Sequence, residues 1–338
     1  MDLNTIWFVL VGVLLAGYAI LDGFDLGVGV LHLFGRSDHE RRVHLNAIGP
    51  IWDGNEVWLI TGGGALFAAF PLVYATVFSG FYMALMLLLA ALIFRAVSLE
   101  FRSKVESAGW RRFWDWAFCI GSFLPALLFG VAYGNILRGV PIDGTLMWTG
   151  SFFGLLNPYA LLIGLLSLCL FTMHGAIYLS MKTDGDHRAR MAAWIPRAWM
   201  ATVALFLLAT LATIFVSPFL FAGIMANPLF WVFLVLLLAG TVYIPVASKA
   251  QRYGRTLLAS SVAIGSMFGL SAVSLFPRLV PSISNLENSL TIYNASSSQT
   301  TLSTMLVIAL IGMPLVIVYT VVIYRVFKGK VVITGESY

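Results

Sequence analysis

Five charged residues stand inside stretches that are otherwise apolar: Asp22, Asp25, Asp53, Glu56 and Arg95. Glu100 and Asp115 lie at the ends of neighbouring apolar stretches. A charged side chain near the centre of a bilayer costs about 2.5–3.5 kcal/mol on translocon scales. Four ionised, unpaired acids would together cost on the order of 10 kcal/mol, which is comparable with the whole stability of an ordinary domain. They must be neutral, paired or hydrated. The spacings Asp22/Asp25 and Asp53/Glu56 are both i,i+3, which sets each pair on one helix face. Acidic chains leading into a membrane interior mark proton relays. The structural alternative is interhelical glue, with Arg95 pairing one acid and Asn55, Trp52, Trp58 or backbone satisfying the others. Four acids to one base leave an acid excess, which favours the relay.

The elements that must position these groups follow from composition. The chain has 338 residues, of which 60% are hydrophobic and 10% charged; a soluble protein is about 25% charged. This excludes a water-soluble fold, a disordered chain and a nucleic-acid-binding module, since the bases are too thinly spread for a basic patch. Apolar runs of about 20 residues predict membrane helices. Nine are read, at about 6–33, 48–69, 76–98, 114–137, 158–180, 198–220, 228–247, 257–277 and 302–324. Their continuity excludes a membrane β-barrel, whose strands alternate. The first run is too long for a signal h-region and follows no basic segment, so no cleaved signal is expected.

Seventeen of the 20 Lys and Arg residues follow odd-numbered runs, from Arg36 after the first to Lys330 after the ninth. By the positive-inside rule this predicts an all-α polytopic protein with its N-terminus outside and its C-terminus cytoplasmic. At a rise of about 1.5 Å per residue, Asp22 then lies roughly 15 Å and Asp53 roughly 8 Å from the inner boundary. From the cytoplasm inward the acids run Glu100 and Asp115, then Asp53, then Glu56 and Asp25, then Asp22.

A faint repeat sets Leu21-Asp22-Gly23 against Met173-His174-Gly175, and Asp38-His39 against Asp186-His187. It predicts two four-helix units (1–140, with the acids, and 157–278), an outer loop (279–301) and a ninth helix with a cytoplasmic tail (302–338). That outer loop is long enough to fold over a neighbouring surface. Gly23 and Gly27 form a small-xxx-small step that allows close helix approach, and Gly62-Gly63-Gly64 is a candidate kink. Cys119 and Cys169 both fall in spans and imply no disulfide framework. A bis-histidine haem would need His32 and His174 on facing helices, but each alone is more often a packed histidine. No zinc spacing or nucleophile–base arrangement is present.

The charged segments also carry a resemblance. Gly17-Tyr-Ala-Ile-Leu-Asp22-Gly-Phe-Asp25-Leu-Gly-Val-Gly29 is followed by Gly49-Pro-Ile-Trp52-Asp53-Gly54-Asn55-Glu56-Val-Trp58. Then come Phe94-Arg95, Trp114-Asp115-Trp116 and the stretch Ser289–Gln299. Together, over essentially the full length, these resemble subunit II of the cytochrome bd quinol oxidases. The resemblance implies a nine-helix protein of the bacterial inner membrane, paired with a homologous subunit I. That partner carries two haems b, one haem d and the quinol-oxidising loop. The complex passes electrons from quinol to oxygen, makes water, and builds a proton gradient without pumping. Subunit II would ligate no haem, stabilise subunit I and provide a cytoplasmic proton path. Asp53, Glu100 and Asp115 would form its entrance, with Trp52, Arg95 and Asp25 further in and Glu56 and Asp22 among its acids. Position 100 is Glu where some relatives have Asp, and the outer loop at about 221–227 is shorter than in some relatives. Some members hold a structural quinone in this chain, and small single-helix accessory subunits and lipids are further partners. Two readings compete: a proton-coupled secondary transporter, resting on the repeat and the intramembrane acids, and a scaffold whose acids only pair with Arg95.

Overall fold

The computed structural model describes residues 2–333. Met1 and the last five residues of the expected cytoplasmic tail lie outside the described residues. The chain is almost wholly helical: α1 (Leu3–Leu31), α2 (Asp38–Ile48), α3 (Trp52–Ala69), α4 (Pro71–Gly80), α5 (Tyr82–Phe101) and α6 (Ala108–Arg138) make up the first part. They are followed by α7 (Pro158–Lys182), α8 (Gly185–Ala192), α9 (Trp194–Val216), α10 (Pro228–Lys249), α11 (Tyr253–Leu275) and α12 (Gln299–Val326).

Local chemistry fixes where the helices start. Asp2, Asn157, Asn227 and Ser298 each accept a hydrogen bond from a backbone N–H in the first turn of α1, α7, α10 and α12. Such caps satisfy donors that have no intrahelical partner. Pro158 and Pro228 follow two of them, where a missing N–H is harmless.

Among the described residues, eight helices are long and apolar enough to cross a membrane: α1, α5, α6, α7, α9, α10, α11 and α12. The expected second span is α3, which has 18 residues and reaches about 27 Å. It carries Asp53, Asn55 and Glu56 in its first turns. Its start is later than the apolar run suggested, because residues 38–48 form the separate polar helix α2, capped by Ser37. Asp53 therefore sits in the first turn of α3, and its side chain is exposed. The triple glycine leaves α3 unbroken. The break comes at Phe70, before Pro71, since a residue preceding proline is driven out of the helical region. The expected third span is likewise divided, with α4 ending at Gly80 and α5 starting at Tyr82.

Helix α1 is the hub. It packs on α3, α6, α7 and α11, and eleven of the fourteen positions from Tyr18 to Leu31 are buried, including Asp22 and Asp25. The α1–α7 crossing is a backbone contact: a methyl group on Gly27 would lie 1.9 Å from the Phe171 carbonyl oxygen, and one on Gly175 would lie 2.3 Å from the Gly27 carbonyl carbon. The second half has a comparable arrangement, with α7 on α9 and α10 on α11.

At the end opposite α2 and α8, the 278–298 segment folds back on the bundle. A two-stranded ribbon pairs β1 (Arg278–Val280) with β2 (Leu290–Thr291). Asn4 Nδ2 donates to the Ile292 carbonyl at 2.6 Å, and the Ser297 N–H donates to the Ala69 carbonyl at 2.8 Å. The expected outer loop is thus a cover for the ends of α1 and α3.

Because no side chain fits between α1 and α7, Gly27→Ala is expected to destabilise the protein by about 1–3 kcal/mol, the range for overpacking. Gly12→Ala, where a methyl group meets nothing within 4 Å, should leave stability unchanged. Thermal unfolding of the two variants in detergent checks this.

Candidate functional site

Arg95 on α5 has no exposed surface, and its guanidinium lies between α1 and α3. Nη2 donates to Asp22 Oδ1 at 2.5 Å and Nη1 to Asp22 Oδ2 at 2.9 Å. The same Nη1 also donates to Glu56 Oε1 at 2.9 Å. The Asp22 contact is a two-pronged fork, the geometry in which guanidinium and carboxylate match best. Arg95 reaches this place because α5 lies against α6 with no side chain between them: a methyl group on Gly121 would lie 2.7 Å from the Ala91 carbonyl oxygen and 2.8 Å from the Arg95 nitrogen.

Asp25, also fully buried, is one turn away on α1. Its Oδ2 accepts from Asn55 Nδ2 at 2.7 Å, and Asn55 Oδ1 accepts from the Tyr324 hydroxyl of α12 at 2.9 Å. Asp25 Oδ1 meets no hydrogen-bond partner among the described residues. A cavity of about 10 Å³, room for about one water, is lined by Pro50, Gly54, Asn55, Tyr319 and Tyr324.

Asp115 belongs to a separate cluster at the α2/α8 end of the bundle. Its carboxylate accepts from Arg102 Nε at 2.5 Å and from Arg41 Nη1 at 2.6 Å, and lies 2.7 Å from His32 Nε2. Arg102 also donates to Asp38 at 2.9 Å. Asp115 does not stand open at an entrance, as its expected place in the order of acids implied; two arginines enclose it. Those arginines looked in the sequence like topology charges of inner loops. The 3-10 turn at Arg102–Lys104 and helix α2 fold them back onto α6.

Of the eight residues singled out, the structure joins Asp22, Glu56 and Arg95 directly and sets Asp25 one turn from Asp22, where Asn55 holds it. Trp52 begins α3 and packs on the core. Asp53 and Glu100 are exposed and make no hydrogen bond or ion pair with the other six. Tyr324 carried no sequence signal: it lies near the end of the last apolar run, at no distinctive spacing.

Of the two histidines that a bis-histidine haem would need, both are engaged in hydrogen bonds. His174 uses both ring nitrogens, Nδ1 with Ser260 Oγ at 2.8 Å and Nε2 with the Ile20 carbonyl at 3.0 Å. His32 Nε2 is engaged with Asp115. A cavity of about 40 Å³ between α5, α6 and the Phe152–Leu156 segment is lined by apolar side chains alone, including Phe81, Leu128 and Val131. None of them offers a hydrogen bond to a quinone headgroup.

Long apolar helices around buried ion pairs define a multi-pass membrane protein with a polar interior. Residues 3–327 match the family described as cytochrome bd terminal oxidase subunit II. The chain is 39% identical over 360 residues to cytochrome bd-I ubiquinol oxidase subunit 2 of Escherichia coli K12, covering 97% of this chain and 95% of that one. It is 37% identical over 333 residues to cytochrome bd ubiquinol oxidase subunit 2 of Bacillus subtilis, covering 98% and 97%. The fold matches a chain in the structure of bd oxidase from Geobacillus thermodenitrificans with a TM-score of 0.81 at 18% identity, over 97% of this chain and 99% of that one. The chain belongs to the cytochrome bd oxidase subunit II family. It is a multi-pass protein of the bacterial inner membrane, and the family implies a quinol oxidase complex with haem cofactors and a subunit I partner.

Removing one member of a buried pair costs about 3–5 kcal/mol, because the other charge is left uncompensated. Arg95→Leu should therefore cost that much stability, and Arg95→Leu with Asp22→Leu should regain most of it. Chemical or thermal unfolding of the single and double variants, with Asp22→Leu alone closing the cycle, checks the coupling.

Proposed function

We propose that this chain is subunit II of an oxidase that oxidises quinol, reduces oxygen to water and builds a proton gradient without pumping. In this reading α3 also crosses the membrane and brings the helix count to nine. The N-terminus is outside, and the α2/α8 end faces the cytoplasm, in keeping with the basic residues gathered there. The helices divide into two four-helix units, α1, α3, α5, α6 and α7, α9, α10, α11, with α12 added. Subunit I holds the two haems b and the haem d, and this chain stabilises it. The histidine hydrogen bonds described above support a non-ligating role. Quinol, lipids and small accessory subunits are partners of the whole complex.

The observation that carries the proton-path reading is the charge balance around Arg95. Asp22, Glu56 and, one turn along, Asp25 stand near one guanidinium. Uncompensated negative charge at membrane depth is costly, so a proton taken up by this group lowers its energy. Asp53 and Glu100, exposed near the α2/α8 end, are the surface groups that collect protons, and Trp52 lines the way in. Haem chemistry in subunit I consumes the protons; this chain's residues hold and pass them. Asp115 serves the same route within its arginine clasp.

Asp53→Asn removes a titratable group without removing a buried contact. It is expected to slow oxygen consumption and proton uptake several-fold in the purified complex, while subunit composition and haem content stay at the parent level. Oxygen-electrode rates and pH-indicator uptake in proteoliposomes measure this. Unchanged rates would favour the scaffold, and substrate-dependent proton flux through vesicles holding this chain alone would favour the transporter.

A further inference from the structure

Three histidines far apart in the sequence stand in a row at the α2/α8 end. His187 on α8 is half-buried, and its Nε2 lies 2.9 Å from His44 Nε2 on α2. His44 and His32 are both fully buried, with ring centroids 5.8 Å apart. His32 Nε2 ends the row 2.7 Å from Asp115 Oδ1. The remaining nitrogens are informative: His44 Nδ1 and His32 Nδ1 are both buried with no hydrogen-bond partner among the described residues. A buried polar nitrogen left unsatisfied costs about 1–3 kcal/mol. Two such atoms on adjacent rings call for a shared partner.

The tautomers are set from the Asp115 end. The carboxylate already accepts from Arg41 and Arg102 and can only accept from His32, so His32 Nε2 carries the hydrogen. A neutral His32 then presents a bare Nδ1. When His187 donates from Nε2 to His44 Nε2, His44 carries its hydrogen on Nδ1. A donor Nδ1 on one ring and an acceptor Nδ1 on the next, on rings whose centroids are 5.8 Å apart, are the kind of pair that a single water would join.

We propose that His187, His44, a bridging water and His32 form a proton wire from the α2/α8 surface to Asp115. This rests on the reading of the chain as a proton route, but it is a second mouth, apart from Asp53. A proton arriving at His187 leaves Nε2 for His44 Nε2. His44 gives its Nδ1 proton to the water, which gives one of its own to His32 Nδ1. His32 becomes an imidazolium against the Asp115 carboxylate, and the wire ends there with the proton on His32. No electron moves and no bond to carbon changes. The charges facing the wire are Asp115, Arg41 and Arg102 at His32, with Asp38 behind Arg102, and Glu40 paired to Arg190 beside His187. Burial first, and then the neighbouring His32 and His187 rings and the Arg41 guanidinium, hold the His44 imidazole well below the usual histidine range. His44 is therefore neutral at rest and passes protons without storing them.

The test uses the whole oxidase complex in proteoliposomes, with proton uptake and oxygen consumption measured for His187→Ala, His44→Gln and Asp53→Asn. The expected result is a several-fold slowing in both histidine variants at unchanged haem content. Imidazole in the medium should restore His187→Ala, measured against wild type in the same imidazole, and should not restore His44→Gln. If buried His44→Gln fails to assemble, the half-buried His187→Ala decides alone. Full rate in His187→Ala with a slow Asp53→Asn overturns the wire and leaves the proton-route reading standing. Slow uptake in His187→Ala that imidazole does not restore marks a structural role and also overturns the wire. Full rates in all three variants overturn the proton-route reading, and the wire falls with it.

Discussion

A guanidinium with no exposed surface, set among apolar helices, dictates much of this structure. Arg95 has to be met by carboxylate, because the effective penalty for burying an ion is several kcal/mol. Asp22 meets it with both oxygens and Glu56 with one. Those two contacts fix the register of α1 and α3 against α5. The glycines follow from the same demand. Gly121 lets α5 approach α6 until Arg95 reaches the centre, and Gly27 and Gly175 let α1 and α7 touch along their backbones. A larger residue at either crossing would move the carboxylate away from the fork it has to fill.

The two charged clusters differ in balance, and the difference has chemical meaning. Around Arg95, two carboxylates share one base, and Asp25, whose Oδ1 meets no partner among the described residues, stands next to them. Around Asp115, two arginines and a histidine share one carboxylate. The first arrangement gains from an added proton and the second resists one. A proton path drawn through both, as proposed here, therefore cannot treat Asp115 as a simple acceptor. Its carboxylate is better suited to orient His32 and to stabilise a passing imidazolium, with the histidine as the group that changes protonation. The acid-rich cluster, reached later, is the one able to keep a proton.

Much of this could be read from residue types alone, because a membrane imposes strong rules. Apolar runs of bilayer length mark helices, and Asp22, Asp25, Glu56 and Arg95 were conspicuous because charge is costly there. Other features depended on contacts with no linear trace. Residues 38–48 are too polar for a span and read as loop, yet Ser37 caps them into a helix that delivers Arg41 and His44. Asp53 falls in the first turn of α3 for the same reason. The break at Phe70 was decided by Pro71, and the more conspicuous triple glycine stayed helical because glycine weakens a helix without removing its hydrogen bonds. Loop arginines read as topology signals turned out to be ion-pair partners. A basic residue can do both, since the rule concerns which side it is on and says nothing of what it touches.

Helix α12 shows how a peripheral element can still reach the interior chemistry. It packs on α1 and α3, and Leu302 is its one buried residue. Trp7 of α1 donates to the Leu302 carbonyl at 2.9 Å and pins one end of the helix. Near the other end, the Tyr324 hydroxyl donates to Asn55, which in turn donates to Asp25. The acceptor side of Asn55 is thereby occupied, so its amide hydrogens are the atoms that face α1, and Asp25 is met by a donor and not by a second carbonyl. Removing that hydroxyl would leave the Asn55 oxygen without its donor, while the amide hydrogens stay with Asp25 and the Leu21 carbonyl. Between these ends Val307, Ile308, Leu310, Ile311, Leu315 and Val318 are apolar and exposed, which suits lipid or a partner helix. One polar side chain thus ties the placement of an outer helix to the hydrogen-bonding state of a buried acid more than 290 residues away in sequence from the tyrosine's own helix end.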